Sequence, residues 1–341
     1  MAPPVKCLVW DLDDTLWKGT LLEDPSVSID PRAVAVIREL DRRGILNSIA
    51  SRNEETLALA KLHEHGLGEY FLYPQITWNA KDVSVKAVAD ALNVGTDTLA
   101  FVDDQPFDRE EVAFSLPEVR CYSPDDLDRL LDLPDFHPPF VTPESARRRL
   151  MYLADAERSR EEAEFSGPKE EFLASLAMRF TVMPAREEDL QRAEELTVRT
   201  NQLNTTGRTY SYDELKAFSE SPSHLLLVAE LEDKHGSYGK IGLALVEKGV
   251  AIWTLKLLLM SCRVMSRGVG AVMLNHVMRL ARAAGTTLQA ELVPNERNRM
   301  MLITLRLGGF REVRRDGELL ILESATSEIP APPSYLDLVT S

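Results

Sequence analysis

Short apolar runs that end in polar residues recur along the first third of the chain. Residues 5–10 are apolar apart from Lys6 and lead into Asp11-Leu12-Asp13-Asp14-Thr15, the pattern of a buried strand that delivers polar side chains at its carboxyl end. The spacing of Val34, Ile37 and Leu40 predicts a helix over 31–43 that stops at Gly44. A second strand is predicted over 45–50, ending in Ser51-Arg52-Asn53, then a helix over 54–66 and another over 83–92. Residues 99–102 read as a strand ending in Asp103-Asp104, and 119–122 as one more. Strand and helix alternating through short loops predict a parallel α/β sheet. Ligands of such sheets bind outside the carboxyl ends of the strands, where the polar clusters fall here.

Four prolines between residues 133 and 143 break the periodicity and mark a boundary. Residues 143–176, rich in Glu, Arg and Ala, read as helical, interrupted at Ser166-Gly167-Pro168, with their charges on a solvated face. Alternation then resumes. A helix is expected over 188–199, strands over 225–230, 241–247 and 251–259, a helix over 268–283, a strand over 288–293, a helix over 299–307 and a last strand over 318–322. The tail from residue 326 is rich in Pro and Ser and is expected to be loose. The expected division is a first domain over 1–135, a helical linker over 136–178, a second α/β domain over 179–325 and a tail over 326–341.

A length of 341 residues agrees with two domains. With 44% hydrophobic and 27% charged residues the balance is that of a globular protein, and no apolar run of about 18 residues suggests a membrane span. The first residues lack a basic-then-apolar signal pattern. Cys7, Cys121 and Cys262 are odd in number and far apart, which argues for a reducing compartment and a cytoplasmic location. A formal charge of −15 argues against a nucleic-acid partner.

The Asp11-x-Asp13 pair carries the strongest chemical signal. A carboxylate attacks a phosphate ester only when the repulsion between the two anions is relieved, and a divalent metal does this while orienting the phosphoryl group. Asp11 is the candidate nucleophile and Asp13 the acid and base that serves the leaving oxygen and then water. The metal candidates are Asp11, Asp13 through its backbone carbonyl, Asp103 and Asp104, an all-oxygen set suited to Mg²⁺. Ser51 is placed to bond the transferring phosphoryl group, with Arg52 and Asn53 beside it as substrate-binding candidates. Lys81 is the first choice for the balancing cation and Lys86 the second. Asp14 and Thr15 are expected to shape the loop. Too few residues separate these motifs for a large cap, so the site is expected to be open.

In the second half, residues 261–270 form a glycine-bearing turn into a helix, a place where free N–H groups can hold a pyrophosphate. Gcn5-related acetyltransferases use such a turn, though Met265 stands where they carry Arg or Gln. Cys262, beside Arg263 and close to a helix start, is expected to have a lowered thiol pKa and to act as an acyl-carrying nucleophile; Cys7 and Cys121 are expected to be core residues. Asn201, Gln202, Asn204 and Arg208 either turn the chain or line a ligand site, and the ligand site is preferred. His276, on the following helix, is a weaker substrate-binding candidate, as are Asn295 and Asn298.

Four stretches, Trp10-Asp-Leu-Asp-Asp-Thr-Leu-Trp17, Phe101-Val-Asp-Asp-Gln-Pro106, Thr200-Asn-Gln-Leu-Asn-Thr-Thr206 and Leu259-Met-Ser-Cys-Arg-Val-Met265, carry a resemblance to a known family. Over about residues 5–322 the chain resembles the FkbH-like proteins of polyketide biosynthesis, although many of these have Asn where this chain has Asp14. The resemblance implies a haloacid-dehalogenase-like (HAD-like) Rossmannoid parallel sheet with a minimal cap, followed by a Gcn5-related (GNAT-like) α/β domain. It also implies Mg²⁺-dependent removal of phosphate from 1,3-bisphosphoglycerate and transfer of the glyceryl group to the phosphopantetheine thiol of an acyl carrier protein. Two alternatives stay open: a phosphatase joined to a coenzyme-A-dependent N-acetyltransferase, and a phosphatase whose second half only binds a carrier protein.

Overall fold

The strand Cys7–Trp10 is the centre of a five-stranded parallel sheet in the order Gln75–Ile76, Leu46–Ser51, Cys7–Trp10, Leu99–Val102, Arg120–Tyr122. The computed structural model describes residues 3–24, 26–200, 202–326 and 328–341, and the chain divides into one unit up to Ala156 and a second from Glu157. Every residue of the three central strands is buried, as expected for a parallel sheet covered on both faces. The fold class is the expected one, a Rossmann-like parallel sheet followed by a second α/β unit.

Register explains why distant polar residues converge in the first unit. Trp10 pairs with Ile49 on one side and Val102 on the other, so Asp11, Ala50 and Asp103 leave the sheet at one level. The helix Pro31–Arg43 begins at Asp30, whose side chain accepts from the Arg32 N–H, and ends at Gly44 with φ 72°. A side chain at Gly44 would be strained by that φ and would also meet the Ser145 carbonyl, 2.6 Å from where its Cβ would stand. Between Asp14 and this helix the described residues hold only the hairpin Trp17–Lys18 with Ser28–Ile29. The short strand Gln75–Ile76 and the helix Pro106–Ser115 escaped the sequence reading, the first because two residues carry no period.

Residues 136–178 are shared between the units. Phe136 packs in the first core, and the helix Arg148–Glu164 runs across the division. In the second unit an eight-stranded mixed sheet has the order Phe310–Asp316, Leu319–Ser324, Thr287–Leu292, Ile252–Met260, Gly236–Lys248, His224–Asp233, Met178–Pro184, Leu336–Thr340. Helices Val269–Ala283 and Arg299–Leu307 cover one face, and Glu187–Arg199 and Tyr212–Glu220 the other.

The tail corrects the expectation of a loose end. Leu336–Thr340 pairs in parallel with Met178–Pro184, and Leu336 is buried. Five residues after a proline-rich stretch are too few for a periodic signal, and the pairing that orders them is long-range. Among the described residues no helix is long and apolar enough to cross a membrane.

Candidate active site

Lys81 opens the helix Lys81–Leu92 and its ammonium is buried at the carboxyl ends of the parallel strands. Nζ donates to Asp11 Oδ1 at 2.5 Å, to Asp103 Oδ2 at 2.9 Å and to the Ala50 carbonyl at 3.0 Å. Three donors meet three acceptors. Ser51 also hydrogen-bonds the Asp11 carboxylate. One carboxylate oxygen each from Asp11, Asp103 and Asp104 lies within 4.8 Å of the others.

The electrostatics of this cluster are set by burial and by the mutual repulsion of its carboxylates. Burial pushes the Asp11 carboxyl above its ordinary range, Lys81 opposes the shift, and the charge of Asp103 adds to it. Burial pulls Lys81 down, but Asp11 and Asp103 together outweigh it and leave its pKa raised. Asp104 is raised by burial first and by Asp103 second. Asp11 and Asp103 thus share one ammonium while Asp104 lies beside them, and the surplus negative charge calls for a further cation. Hard oxygen donors at this spacing fit a divalent ion such as Mg²⁺.

Asp13 stands apart from that cluster. Its Oδ1 accepts from the Trp17 indole N–H at 2.7 Å and the Leu21 N–H at 3.0 Å, and its Oδ2 from the Asn53 amide at 2.9 Å. Its side chain is fixed by these bonds, so a metal contact from Asp13 would have to come from its backbone carbonyl. Asn53 therefore orients Asp13, and its Oδ1 also accepts from the Glu54 N–H. Asp14 takes φ 51° and accepts from the Gly19 N–H, while the Thr15 hydroxyl accepts from the Asp104 N–H. Both residues shape the loop that follows Asp11.

Arg52 is held differently from what its neighbours suggest. Its guanidinium donates to Asp108 at 2.9 Å, to Glu111 at 3.3 Å and to the Asn79 carbonyl at 3.3 Å. Its charge is spent within the protein. Lys86 pairs with Asp90 one turn along an exposed helix face. Trp17, Asp108, Arg109 and Glu111 were not singled out from the sequence. Trp17 lies four residues after Asp13, and Arg109 donates to the carbonyls of Asp103 and Asp104 at 2.5 and 2.8 Å. The Pro106 start of their helix was the one local signal for the last three.

In the second unit the strands Ile252–Met260 and Thr287–Leu292 pair only from Ile252 to Leu255. Beyond that point the chain's own segment 203–205 lies between them. Met260 N–H donates to the Leu203 carbonyl, Thr205 N–H to the Leu258 carbonyl and Val293 N–H to the Thr205 carbonyl, at 2.9, 3.0 and 2.9 Å. This places Gln202 at Cys262, where the backbone N–H groups of Gln202 and of Cys262 itself favour the thiolate. Asn204 is wholly buried and closes a turn, accepting from the N–H groups of Thr206 and Gly207. Asn298 clips the segment by donating to the carbonyls of Asn204, Thr205 and Val293, and its Oδ1 accepts from the Asn295 N–H. Asn201 lies outside the described residues.

The expected activation of Cys262 does not hold. The residue is exposed, yet partial burial of its sulfur raises the thiol pKa, and the two backbone donors only moderate this. Arg263 turns away to the Tyr238 carbonyl at 2.8 Å, and the helix begins at Val269, too far along the chain to act on the thiol. Arg208 pairs with the buried Glu291 at 3.2 Å, and Lys256 pairs with the same carboxylate. His276 is half-buried on the helix Val269–Ala283 and burial lowers its pKa; no hydrogen bond joins it to the Cys262 turn. Burial pushes the Cys7 thiol far up, and that of Cys121 to about 11.

No known family model matches the chain, and no curated protein matches it. Among solved structures, the chain is similar over part of its length to the N-terminal part of protein BF1531 from Bacteroides fragilis, which contains a phosphatase domain and is complexed with Mg. That match has 23% identity over 44% of this chain and 39% of that one, with TM-score 0.31. Another is the ribosomal-protein-S18-alanine N-acetyltransferase from Escherichia coli, at 15% identity over 44% of this chain and 96% of that one, TM-score 0.35. A third is the PaiA N-acetyltransferase from Thermoplasma acidophilum in complex with coenzyme A, at 15% identity over 42% and 98%, TM-score 0.33.

Proposed function

We propose that the first unit is a Mg²⁺-dependent phosphoryl-transfer enzyme with Asp11 as nucleophile. The second unit then passes a glyceryl group from 1,3-bisphosphoglycerate to the thiol of an acyl carrier protein, as in the FkbH-like proteins that the sequence resembles. The observation that carries the first half is the cluster of buried Asp11 and Asp103 with the partly buried Asp104, in which the Lys81 ammonium pairs with the first two.

Asp11 attacks phosphorus in line, the bond to the leaving oxygen breaks, and Asp13 gives that oxygen its proton. Asp13 then takes a proton from water, whose oxygen attacks the aspartyl-phosphate and releases inorganic phosphate with Asp11 restored. Asp11, Asp103, Asp104 and the Asp13 carbonyl would hold Mg²⁺, which would supply charge neutralisation when bound. Lys81 balances charge on the transferring phosphoryl oxygens, which spread their charge in the transition state. The fixing of Asp13 by Trp17, Leu21 and Asn53 supports its acid–base role, because proton transfer needs a set direction.

The acyl carbon of an acyl phosphate is already activated, so a thiol can capture it directly. Cys262 Sγ, as thiolate, attacks that carbon and phosphate leaves; the carrier thiol then takes the acyl group from the enzyme thioester. Exposure of Cys262 and its placement beside Gln202 support this role. The test uses purified protein, Mg²⁺, 1,3-bisphosphoglycerate generated in situ and a phosphopantetheinylated carrier protein, followed by intact-mass spectrometry. A glyceryl adduct on enzyme and carrier, with the enzyme adduct absent in Cys262→Ala, is the expected result. Phosphate release with no adduct on either protein would reduce the reading to a phosphatase, and acetyl-coenzyme A turnover would point to N-acetyl transfer.

A further inference from the structure

Lys81 has no freedom at its tip, because all three ammonium donors are engaged. Where the tip sits then depends on where its backbone is anchored. The helix Lys81–Leu92 begins after Ala80, which offers no side-chain cap, so its first N–H groups need acceptors from elsewhere. Glu111 supplies one. Its Oε2 accepts from the Lys81 N–H at 3.0 Å, a carboxylate at the positive end of a helix.

The same Glu111 oxygen accepts from Arg52 at 3.3 Å. Arg52 in turn reaches Asp108 and the Asn79 carbonyl. It thereby joins the end of the strand Leu46–Ser51, the loop before Lys81 and the helix Pro106–Ser115. That helix follows directly on Asp103-Asp104, so the lysine and the metal-side carboxylates belong to one braced piece. Both side chains of the brace are partly exposed, Arg52 by 35% and Glu111 by 25%. They are accessible for substitution without opening the core.

We propose that Glu111, braced by Arg52, is the positioning residue that sets Lys81 against Asp11 and Asp103. The inference rests on the phosphoryl-transfer reading and adds to it how the balancing cation is kept in place. Glu111 touches no reacting atom and acts only through the Lys81 backbone. Truncating it lets the first turn of the helix shift, and a misplacement of about 1 Å at a reacting group costs on the order of 100-fold in rate.

The experiment measures turnover of acetyl phosphate with Mg²⁺, together with binding of the phosphate mimic BeF₃⁻ followed by ¹⁹F NMR. Glu111→Ala is expected to lower kcat about 10- to 100-fold and to weaken BeF₃⁻ binding in step. Glu111→Gln keeps an oxygen for the Lys81 N–H and is expected to recover kcat to within about threefold of wild type, since the acceptor rather than its charge sets the position. In a Lys81→Gln background, Glu111→Ala is expected to cost no further rate, since residues acting through one another are not additive. Retention of kcat in Glu111→Ala, or full multiplication of its loss with that of Lys81→Gln, would overturn the inference. If Glu111→Ala does not fold, Arg52→Gln removes the brace while keeping the Lys81 N–H acceptor; it is expected to lower kcat severalfold and weaken BeF₃⁻ binding in step, and an unchanged kcat there would overturn the braced arrangement proposed. Failure of the wild type both to turn over acetyl phosphate and to bind BeF₃⁻ would instead sink the phosphoryl-transfer reading itself, and this inference with it.

Discussion

Lys81 Nζ stands 2.5 Å from Asp11 Oδ1 although 70 residues separate them in sequence. The contact pairs the proposed nucleophile with a cation, and it exists because two parallel strands and a helix start end at one level. Lys81→Met would leave Asp11 and Asp103 buried with no protein cation between them. Removing one partner of a buried pair costs about 3–5 kcal/mol. Urea denaturation in EDTA should show that loss, and millimolar Mg²⁺ should restore part of it by binding the folded state alone. A variant as stable as wild type in EDTA would contradict this account of the charge balance.

Asn53 donates to Asp13 Oδ2, one of three bonds that fix the proposed acid–base group. Asn53→Ala should lower kcat for acetyl phosphate by roughly 10- to 100-fold through loss of orientation. Stability should fall by only about 1–2 kcal/mol, the usual cost of one buried hydrogen bond partner. Kinetics and thermal melts on the same sample separate the two effects; a stability loss with kcat unchanged would make Asn53 a packing residue.

Partial burial raises the Cys262 thiol above its ordinary value, so the thiolate fraction at neutral pH is small and grows as pH rises. Iodoacetamide labelling of Cys262, followed by peptide mass spectrometry, should therefore speed up about tenfold per pH unit up to at least pH 8.5, with no plateau near neutrality. A plateau below pH 8 would show an activated thiol and restore the expectation drawn from Arg263.

Asn298 clips the segment 203–205 by donating to three carbonyls. Asn298→Ala leaves those acceptors short of a buried donor and should destabilise the protein by about 2 kcal/mol. Labelling of Cys262 by iodoacetamide should also change, because the Gln202 N–H reaches the sulfur from the segment that Asn298 holds. An unchanged labelling rate would separate the clip from the thiol.

The first sheet was legible because its strands are short apolar runs with polar ends, and the parallel register then fixes which ends meet. Asp11, Ser51, Lys81, Asp103 and Asp104 could be proposed together for that reason. What escaped was the layer behind them. Glu111 acts through the backbone N–H of Lys81, and such a bond leaves no mark on the spacing of residues. Arg52 looked available for substrate because it adjoins Ser51, but its acidic partners lie 56 and 59 residues away. In the second unit Cys262 and Gln202 were found separately, while the pairing of segment 203–205 that brings them together is long-range. The Cys262 pKa was misjudged because adjacency to Arg263 in sequence says nothing of where the guanidinium points.

Trapping the phosphoryl group identifies the residue that attacks phosphorus. The protein is mixed with Mg²⁺ and acetyl phosphate, quenched, and reduced with borohydride, which converts an aspartyl-phosphate to homoserine. Peptide mass spectrometry then reads the position. Homoserine at residue 11, more abundant in Asp13→Asn where the second step is slowed and absent in Asp11→Asn, is the predicted result. Modification at another residue, or phosphate release that persists in Asp11→Asn, would contradict Asp11 as the nucleophile.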